Sequence, residues 1–505
     1  MSIGSNRKKT LLNLISSLSG QVVTIAIGLI VPRLYLVSYG SETNGLLNSV
    51  NQFLVYLGLF ESGVGLATLQ ELYKPVAIQD KVAINKVLSS THRYYRKAGK
   101  YYFFALILLA ALYPLLAKSS LNYHEVALIV IISGIGSGSA FFVHGKYKLL
   151  LQAEGKNYII SNIGSIYNIA AGVIKVVMVN RKMPITAIVF ASTSLNLLQG
   201  TFFWAYIRKN YTWIDVKMPV NTYKASQKRY VLIHQIAGLV FQNTDILILT
   251  ITCNLSVVSV YSVYKLVYVH LESLLLGCSS SVNYRLGQLF QIDKRDYIRK
   301  IMIFELVFGA LSFSIYAVAF DMILPFVRLY TSGVADIQYE DGLIAILFTT
   351  IALLTIIRQP MLMTINYAGH FKNTTRQTIA ETLINLVVSL FGVWICGIYG
   401  VLLGTVAALA YRSIDVLFYA NKKLLDQTPW KSLKIYLIDI VTFIGTQVIF
   451  NIIAVDYKVQ SFMTFVVVCI AELLVALMVF SVVLFAGFSE LRQFCRKEYN
   501  KEENQ

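Results

Sequence analysis

Apolar runs of about twenty residues recur along the whole chain, each broken by a short polar or basic stretch. At ~1.5 Å of rise per residue such a run spans the ~30 Å hydrocarbon core of a bilayer as an α-helix. The pattern predicts about fourteen membrane helices. They lie near residues 10–39, 43–67, 101–117, 126–143, 159–179, 185–207, 230–251, 257–281, 301–326, 343–368, 378–398, 401–419, 435–454 and 462–486. Between the second and third runs, residues 74–100 mix Val76, Val82, Ile84, Val87 and Leu88 with charges, which predicts a short helix lying in the membrane interface. The opening MSIGSNRKK leads into an apolar run with no small-residue cleavage site, so it reads as a retained first helix.

Composition agrees with the pattern. The 505 residues are 56% hydrophobic and only 14% charged, about half the usual charged share of a soluble protein, and mean hydropathy is +0.62. The formal charge of +18 does not signal nucleic-acid binding, because Lys and Arg sit in short loops between apolar runs. Only Lys118, Arg181, Lys182, Arg328 and Lys458 fall on one side of the predicted map, and Arg33, Lys175, Lys265, Arg358 and Arg412 fall within spans. The rest occupy the N-terminus, the alternate loops and the tail, which places both termini in the cytoplasm. The five cysteines are scattered without metal-ligand spacing. No nucleotide-binding loop, metalloprotease motif or nucleophile elbow is present. No predicted outer loop is long enough for a folded domain, which argues against a membrane glycosyltransferase or polysaccharide polymerase.

The ionisable residues inside the spans are the candidate chemistry. A cation at a helix centre costs about 2.5–3.5 kcal/mol on insertion scales, so such groups face a bundle interior or a wet cavity. Arg33, Lys265 and Arg358 are the candidate cavity cations; pairing with Asp245 or Glu61 is the structural alternative. Asn51, Gln52, Glu61, Asp245 and His234 are the polar or ion-coupling candidates. Glu272 and Glu472 are also deep, whereas Glu305, Asp321, Glu381, Asp415 and Asp439 read as interfacial residues near helix ends. Arg412 stands three residues before Asp415, the spacing of a pair on one helix face. Pro360, just after Arg358, predicts a break in the tenth helix.

The chain also echoes itself. Displaced by roughly 212 positions, PRLYLVSYGSETNGLLNSVNQFLVYL meets TDILILTITCNLSVVSVYSVYKLVYV, each with a charged residue (Arg33, Asp245) opening a short apolar stretch. The simplest architecture is an all-α integral membrane protein of two six-helix lobes, residues 1–207 and 230–420, joined by a cytoplasmic loop at 208–229. Residues 421–505 add two C-terminal helices and a tail.

The run RLYLVSYGSETNGLLNSVNQFLVYLGLFESGVGLATLQELYKPVA resembles the N-terminal signature of bacterial Wzx-type polysaccharide flippases, and FQNTDILILTITCNLSVVSVYSVYKLV resembles their seventh and eighth helices. That family belongs to the multidrug/oligosaccharidyl-lipid/polysaccharide (MOP) exporter superfamily. The resemblance implies a multi-pass protein of the bacterial cytoplasmic membrane, with no catalytic residues, metal or cofactor. It implies transfer of undecaprenyl-pyrophosphate-linked oligosaccharide to the outer leaflet for capsule or O-antigen synthesis, by alternating access around a cationic cavity. Arg33 inherits the pyrophosphate-binding role from the signature stretch. Membrane lipid, a polysaccharide polymerase and the chain-length machinery are the implied partners. A proton or sodium gradient is the candidate driving force. The nearest rival is a drug/cation antiporter of the same superfamily, which would favour an acid-rich cavity.

Overall fold

In the computed structural model, residues 3–117, 119–142, 145–216, 218, 229–453, 459–489 and 491–493 are described. They are almost wholly helical. Eleven of the described helices are long and apolar enough to cross a bilayer, and Ile236–Thr252 is a shorter apolar helix. By contacts the chain divides into two compact units, Met1–Ser259 and Val260–Gln505.

The first unit holds α1 (Ile3–Leu57), α2 (Leu59–Ala77), α3 (Lys81–Leu116), α4 (Tyr123–Phe142), α5 (Gly145–Ala153), α6 (Asn157–Asn180), α7 (Ile185–Asn210), α8 (Arg229–Thr252) and the start of α9 (Leu255–Ile292). Gly40, at φ 80° and ψ 175°, breaks α1 into two helices end to end; a residue with a side chain rarely adopts that conformation. Of the interfacial helix expected over 74–100, residues 74–77 end α2 and residues 81–100 are the first half of α3. Asp80 caps it by accepting from the Ala83 amide (2.9 Å), and the helix then runs without interruption into the apolar segment. The core of this unit centres on Leu46, Val50, Tyr102, Tyr113, Ile129 and Ile188.

The second unit holds the rest of α9, α10 (Lys294–Tyr330), α11 (Gly342–Ile357), α12 (Gln359–Tyr367), α13 (Phe371–Cys396), α14 (Ile398–Tyr419) with a π-helical turn at Ala420–Leu425, α15 (Trp430–Ile453) and α16 (Phe462–Gly487). Its spine is α10, the most deeply buried of the membrane-length helices, against which α11, α15 and α16 pack. α13 and α14 form a tight hairpin. Gly397 turns the chain at φ 58°, and a Cβ on Gly400 would lie 2.0 Å from the Gly392 carbonyl oxygen. The helix over 343–368 breaks at Arg358, as Pro360 predicts. The Arg358 amide turns to Ile356, and the Leu354 carbonyl is taken by the Ser413 hydroxyl at 2.9 Å.

Several helices begin before their apolar runs. α10 starts seven residues ahead of the predicted span because Asp293 accepts from the Arg295 and Asp296 amides (3.0 and 3.1 Å) and so starts the helix in polar sequence. α13 and α15 likewise start early, at Phe371 and Trp430. Residues that hydropathy places at a helix end are therefore two to three turns inside it.

Candidate functional site

That displacement corrects the reading of the acids. Glu305, Glu381 and Asp439 are enclosed by the protein: Glu305 and Asp439 are each only 2% exposed, and Glu381 is also buried. Asp321 is half-buried. The second unit consequently encloses two groups of ionisable side chains.

The first group joins α11–α12, α13 and α14. Arg358, at the helix break, donates from a guanidinium nitrogen to Glu381 Oε1 at 2.5 Å. Arg412 Nε lies 3.5 Å from the other oxygen of the same carboxylate. A second guanidinium nitrogen of Arg412 donates to Asp415, one turn along α14, and a third reaches Thr378 Oγ1 at 3.3 Å. Two guanidiniums and two carboxylates thus form a charge-neutral network, and a carboxylate shared by two guanidiniums is a strong, geometrically fixed arrangement. Glu272 on α9 stands within electrostatic reach of Arg358 and Lys265. Lys265 lies over the Tyr261 ring, 5.5 Å from its centroid.

The second group lines α10 and contains no such cation. Ser432 on α15 donates to Glu305 Oε2 at 3.0 Å, while Glu305 Oε1 has no hydrogen-bond partner. The Tyr436 hydroxyl stands beside this carboxyl without meeting hydrogen-bond geometry. Asp439, one turn further on α15, rests its carboxyl against α10 at Gly309, where an added Cβ would sit 2.8 Å from Asp439 Oδ2; that oxygen too is unpartnered. Further along α10, the Asp321 and Glu472 carboxyls come within hydrogen-bonding reach of each other. Two carboxyl groups that close cannot both stay ionised.

In the first unit a different, uncharged seam joins α1 to α8 and the start of α9. Asn44 Nδ2 donates to Ser259 Oγ (2.7 Å), and the Ser49 and Thr250 hydroxyls meet at 2.7 Å. Gln52 donates to Asn243 Oδ1, and Tyr56 donates to the Val240 carbonyl (3.1 Å) and meets the Thr244 hydroxyl at 2.6 Å. Positions 44, 48, 52 and 56 share one helix face. Gly45 brings the backbones together, since a Cβ there would lie 1.7 Å from the Leu255 carbonyl oxygen.

The candidate residues read from the sequence distribute as follows. Arg33 and His234 are half-buried, Asn51 is exposed and Gln52 belongs to the polar seam. Asp245 is buried on α8, close enough to Tyr56 for electrostatic influence. The side chain of Glu61 lies outside the described residues. Arg358 is ion-paired with Glu381. The Arg412–Asp415 pair forms at its predicted spacing. Among the described residues no cluster of three or more His, Cys, Asp or Glu side chains could hold a metal ion.

No protein-family model and no curated protein matches the chain. Solved structures do match it. The lipid II flippase MurJ, in an inward closed conformation, superposes with a TM-score of 0.67 over 94% of this chain and 99% of its own, at 14% identity. The multidrug transporter DinF-BH of the MATE family gives 0.60 over 83% and 96%, at 14% identity. An inward-facing MATE multidrug resistance transporter of the MOP superfamily gives 0.59 over 81% and 97%, at 14% identity. At this identity the likeness is one of fold: the chain is a multi-pass helical protein whose fold is similar to that of these flippase and multidrug-transporter structures.

Proposed function

We propose that the chain is a secondary transporter that works by alternating access, with about fourteen spans in two lobes and both termini cytoplasmic. The observation that carries this reading is the fold match over nearly the whole length of a flippase and of two multidrug transporters. For the cargo we propose an undecaprenyl-pyrophosphate-linked oligosaccharide. The signature stretch that resembles polysaccharide flippases supports it. So does the extent of the match, because the lipid II flippase covers 94% of this chain against 81–88% for the MATE structures. Arg33 and Lys265 are the proposed contacts to the pyrophosphate. Arg358 serves that role less well, since Glu381 already neutralises it.

A drug/cation antiporter is the second reading, and the charge geometry favours it. The buried arginines of the second unit are matched by carboxylates, and further buried carboxyls form no ion pair among the described residues.

A deletion strain separates the two. Completed lipid-linked repeat units, quantified by mass spectrometry, should accumulate in the inner leaflet while surface glycan is lost. Restoring export needs the wild-type chain, and Arg33→Ala at equal membrane abundance should restore less than a tenth of it, a loss of about 1.4 kcal/mol or more in transport free energy. Normal glycan with new drug sensitivity would establish the antiporter instead.

A further inference from the structure

We propose that the first unit holds an anionic phospholipid between α6 and α7, with one acyl chain in an apolar groove and its phosphate at Lys209. The groove is a cavity of about 450 Å³, within the ~300–1,000 Å³ range of sites that take small ligands. Ile163, Ile166 and Ala170 of α6 form one wall, and Leu195, Leu198 and Phe202 of α7 form the other. Ile166, Leu198 and Phe202 are each at least half exposed, so the described chain leaves the groove uncovered. Ala170 and Ala205 line it with single methyl groups and leave room for a chain. From Leu195 to Lys209 the groove follows fourteen positions of α7, a rise of about 21 Å. One leaflet offers about 15 Å of hydrocarbon depth, half of the ~30 Å core, so the groove takes one chain of one leaflet and ends among head groups.

Its two ends differ in chemistry. Toward Leu195 the walls are apolar apart from Gln199 and Tyr167, whose hydroxyl donates to the Ser192 carbonyl at 3.4 Å. At the other end stand Tyr206, Lys209 and Asn210. Aromatic side chains place that end at the depth of a membrane–water interface. Trp204 is exposed there, and the rings of Tyr206, Tyr211 and Trp213 follow one another at centroid distances of 6.4 and 6.1 Å. Positive charge gathers at the same level. Lys209 forms no ion pair among the described residues, and Arg208 lies over the Trp204 ring, 5.1 Å from its centroid. Glu154 does not neutralise Lys209, because Lys156 (2.7 Å) and the Tyr211 hydroxyl (2.5 Å) already hold it. Asp215 stands further along the chain, where its backbone amide donates to Asn85 of α3 at 3.0 Å. The Asn210 side chain gives one N–H to the Tyr206 carbonyl (2.8 Å) and keeps the other. An ammonium and an amide N–H are the donors that a phosphate oxygen accepts from. A free phosphate would leave the groove empty, and an uncharged hydrocarbon would leave Lys209 unmatched; an amphiphile with an anionic head satisfies both. An undecaprenyl tail is much longer than the groove, which therefore suits a resident membrane lipid better than the proposed cargo. The site lies within the first unit and does not rest on the transporter reading.

The test is native mass spectrometry of the purified full-length protein, titrated in detergent with phosphatidylglycerol and with phosphatidylethanolamine of the same acyl chains. The wild type should bind one phosphatidylglycerol in preference to phosphatidylethanolamine. Lys209→Gln should lower phosphatidylglycerol affinity about fivefold, the effect of one basic side chain at a membrane surface, and Lys209→Arg should retain it. Ala205→Trp fills the groove and should weaken both lipids; Ala170→Trp, on the facing helix, does the same should the first variant fail to fold. Lys372→Gln, at an exposed lysine of α13 in the second unit, should change nothing. Equal binding of the two lipids by the wild type, or a preference that survives Lys209→Gln, overturns the proposal. So does phosphatidylglycerol binding that a folded groove-filling variant leaves intact, since the lipid then lies elsewhere. Displacement of phosphatidylglycerol by an equal concentration of undecaprenyl phosphate also overturns it, by making the groove a cargo site. A failure of the cargo assay above would leave these titrations unchanged, and failure here would leave that assay unchanged.

Discussion

The second unit buries carboxylates in two ways. On α13, Glu381 is held by two guanidiniums, Arg358 and Arg412, and Asp415 completes a network whose formal charges cancel. On α10, α15 and α16, Glu305, Asp439, Asp321 and Glu472 are enclosed with no ion pair among the described residues, and Glu305, Asp439 and Glu472 each keep an oxygen without a hydrogen-bond partner. Burial is similar and residue type is the same, so burial does not distinguish them. The neighbours do. A carboxylate between guanidiniums is fixed in its charged form and acts as a structural brace. A buried carboxyl without a cation has nothing to hold its charge, and where two such groups meet, as Asp321 and Glu472 do, they cannot both stay ionised.

The sharpest way to break this contrast is to remove the shared brace. Glu381→Gln leaves Arg358 and Arg412 buried beside each other, and the loss should be about 3–5 kcal/mol, the cost of stripping one partner from a buried pair. Thermal unfolding in detergent should show it as the largest drop among single substitutions in the unit. Adding Arg358→Met should recover part of the loss by removing one orphaned cation. A melt indistinguishable from wild type would mean that the network does not brace the fold, and the contrast would fail.

The opposite sign is expected at Glu305. In Glu305→Gln the amide can still accept from Ser432, and an N–H donor replaces a carboxyl oxygen that has no partner. Stability should be unchanged or higher by about 1–3 kcal/mol, the penalty of an unsatisfied buried group removed. The same melt measures it. A loss comparable to that of Glu381→Gln would show that the ionised carboxylate is itself a structural partner.

How far this was visible in the sequence depends on the range of each interaction. The helices announce themselves through their apolar runs, and the Pro360 break and the Arg412–Asp415 pair follow from local spacing. The partnership of Arg358 with Glu381 spans 23 positions and crosses two helices, so no periodicity contains it. The same holds for Gln52 and Asn243, 191 positions apart. The acid on α10 lies deeper in its helix than hydropathy suggests for a specific reason. A hydropathy window stops where charge begins, whereas a helix stops where its backbone amides lose partners. Asp293 supplies those partners at polar sequence, and so carries the helix past the window and Glu305 with it.

The smallest effect tests whether a buried charge without a counter-charge behaves alike when its sign is reversed. Lys146, on α5 in the first unit and outside the membrane-length helices, is 4% exposed. Its Nζ lies 3.5 Å from the Phe142 carbonyl oxygen and 4.5 Å from the centroid of the Tyr147 ring, and His92 of α3 is within electrostatic reach. Arg96 also acts on His92, and among the described residues no ion pair offsets Lys146. Burial pushes the ammonium down from 10.5 to about 8. The unfolded chain therefore binds more protons than the folded one between those values, so folding stability rises with pH across that window. Below about 8 the penalty of the buried ammonium is present in full, and above 10.5 it is gone. Lys146→Met should accordingly raise stability at neutral pH, by on the order of 1 kcal/mol, and the gain should shrink to nothing as pH passes through the window. Denaturation midpoints of both proteins at a series of pH values read this directly. A gain that is the same at every pH would come from packing alone, and would separate Lys146 from the carboxyls of α10 that form no ion pair.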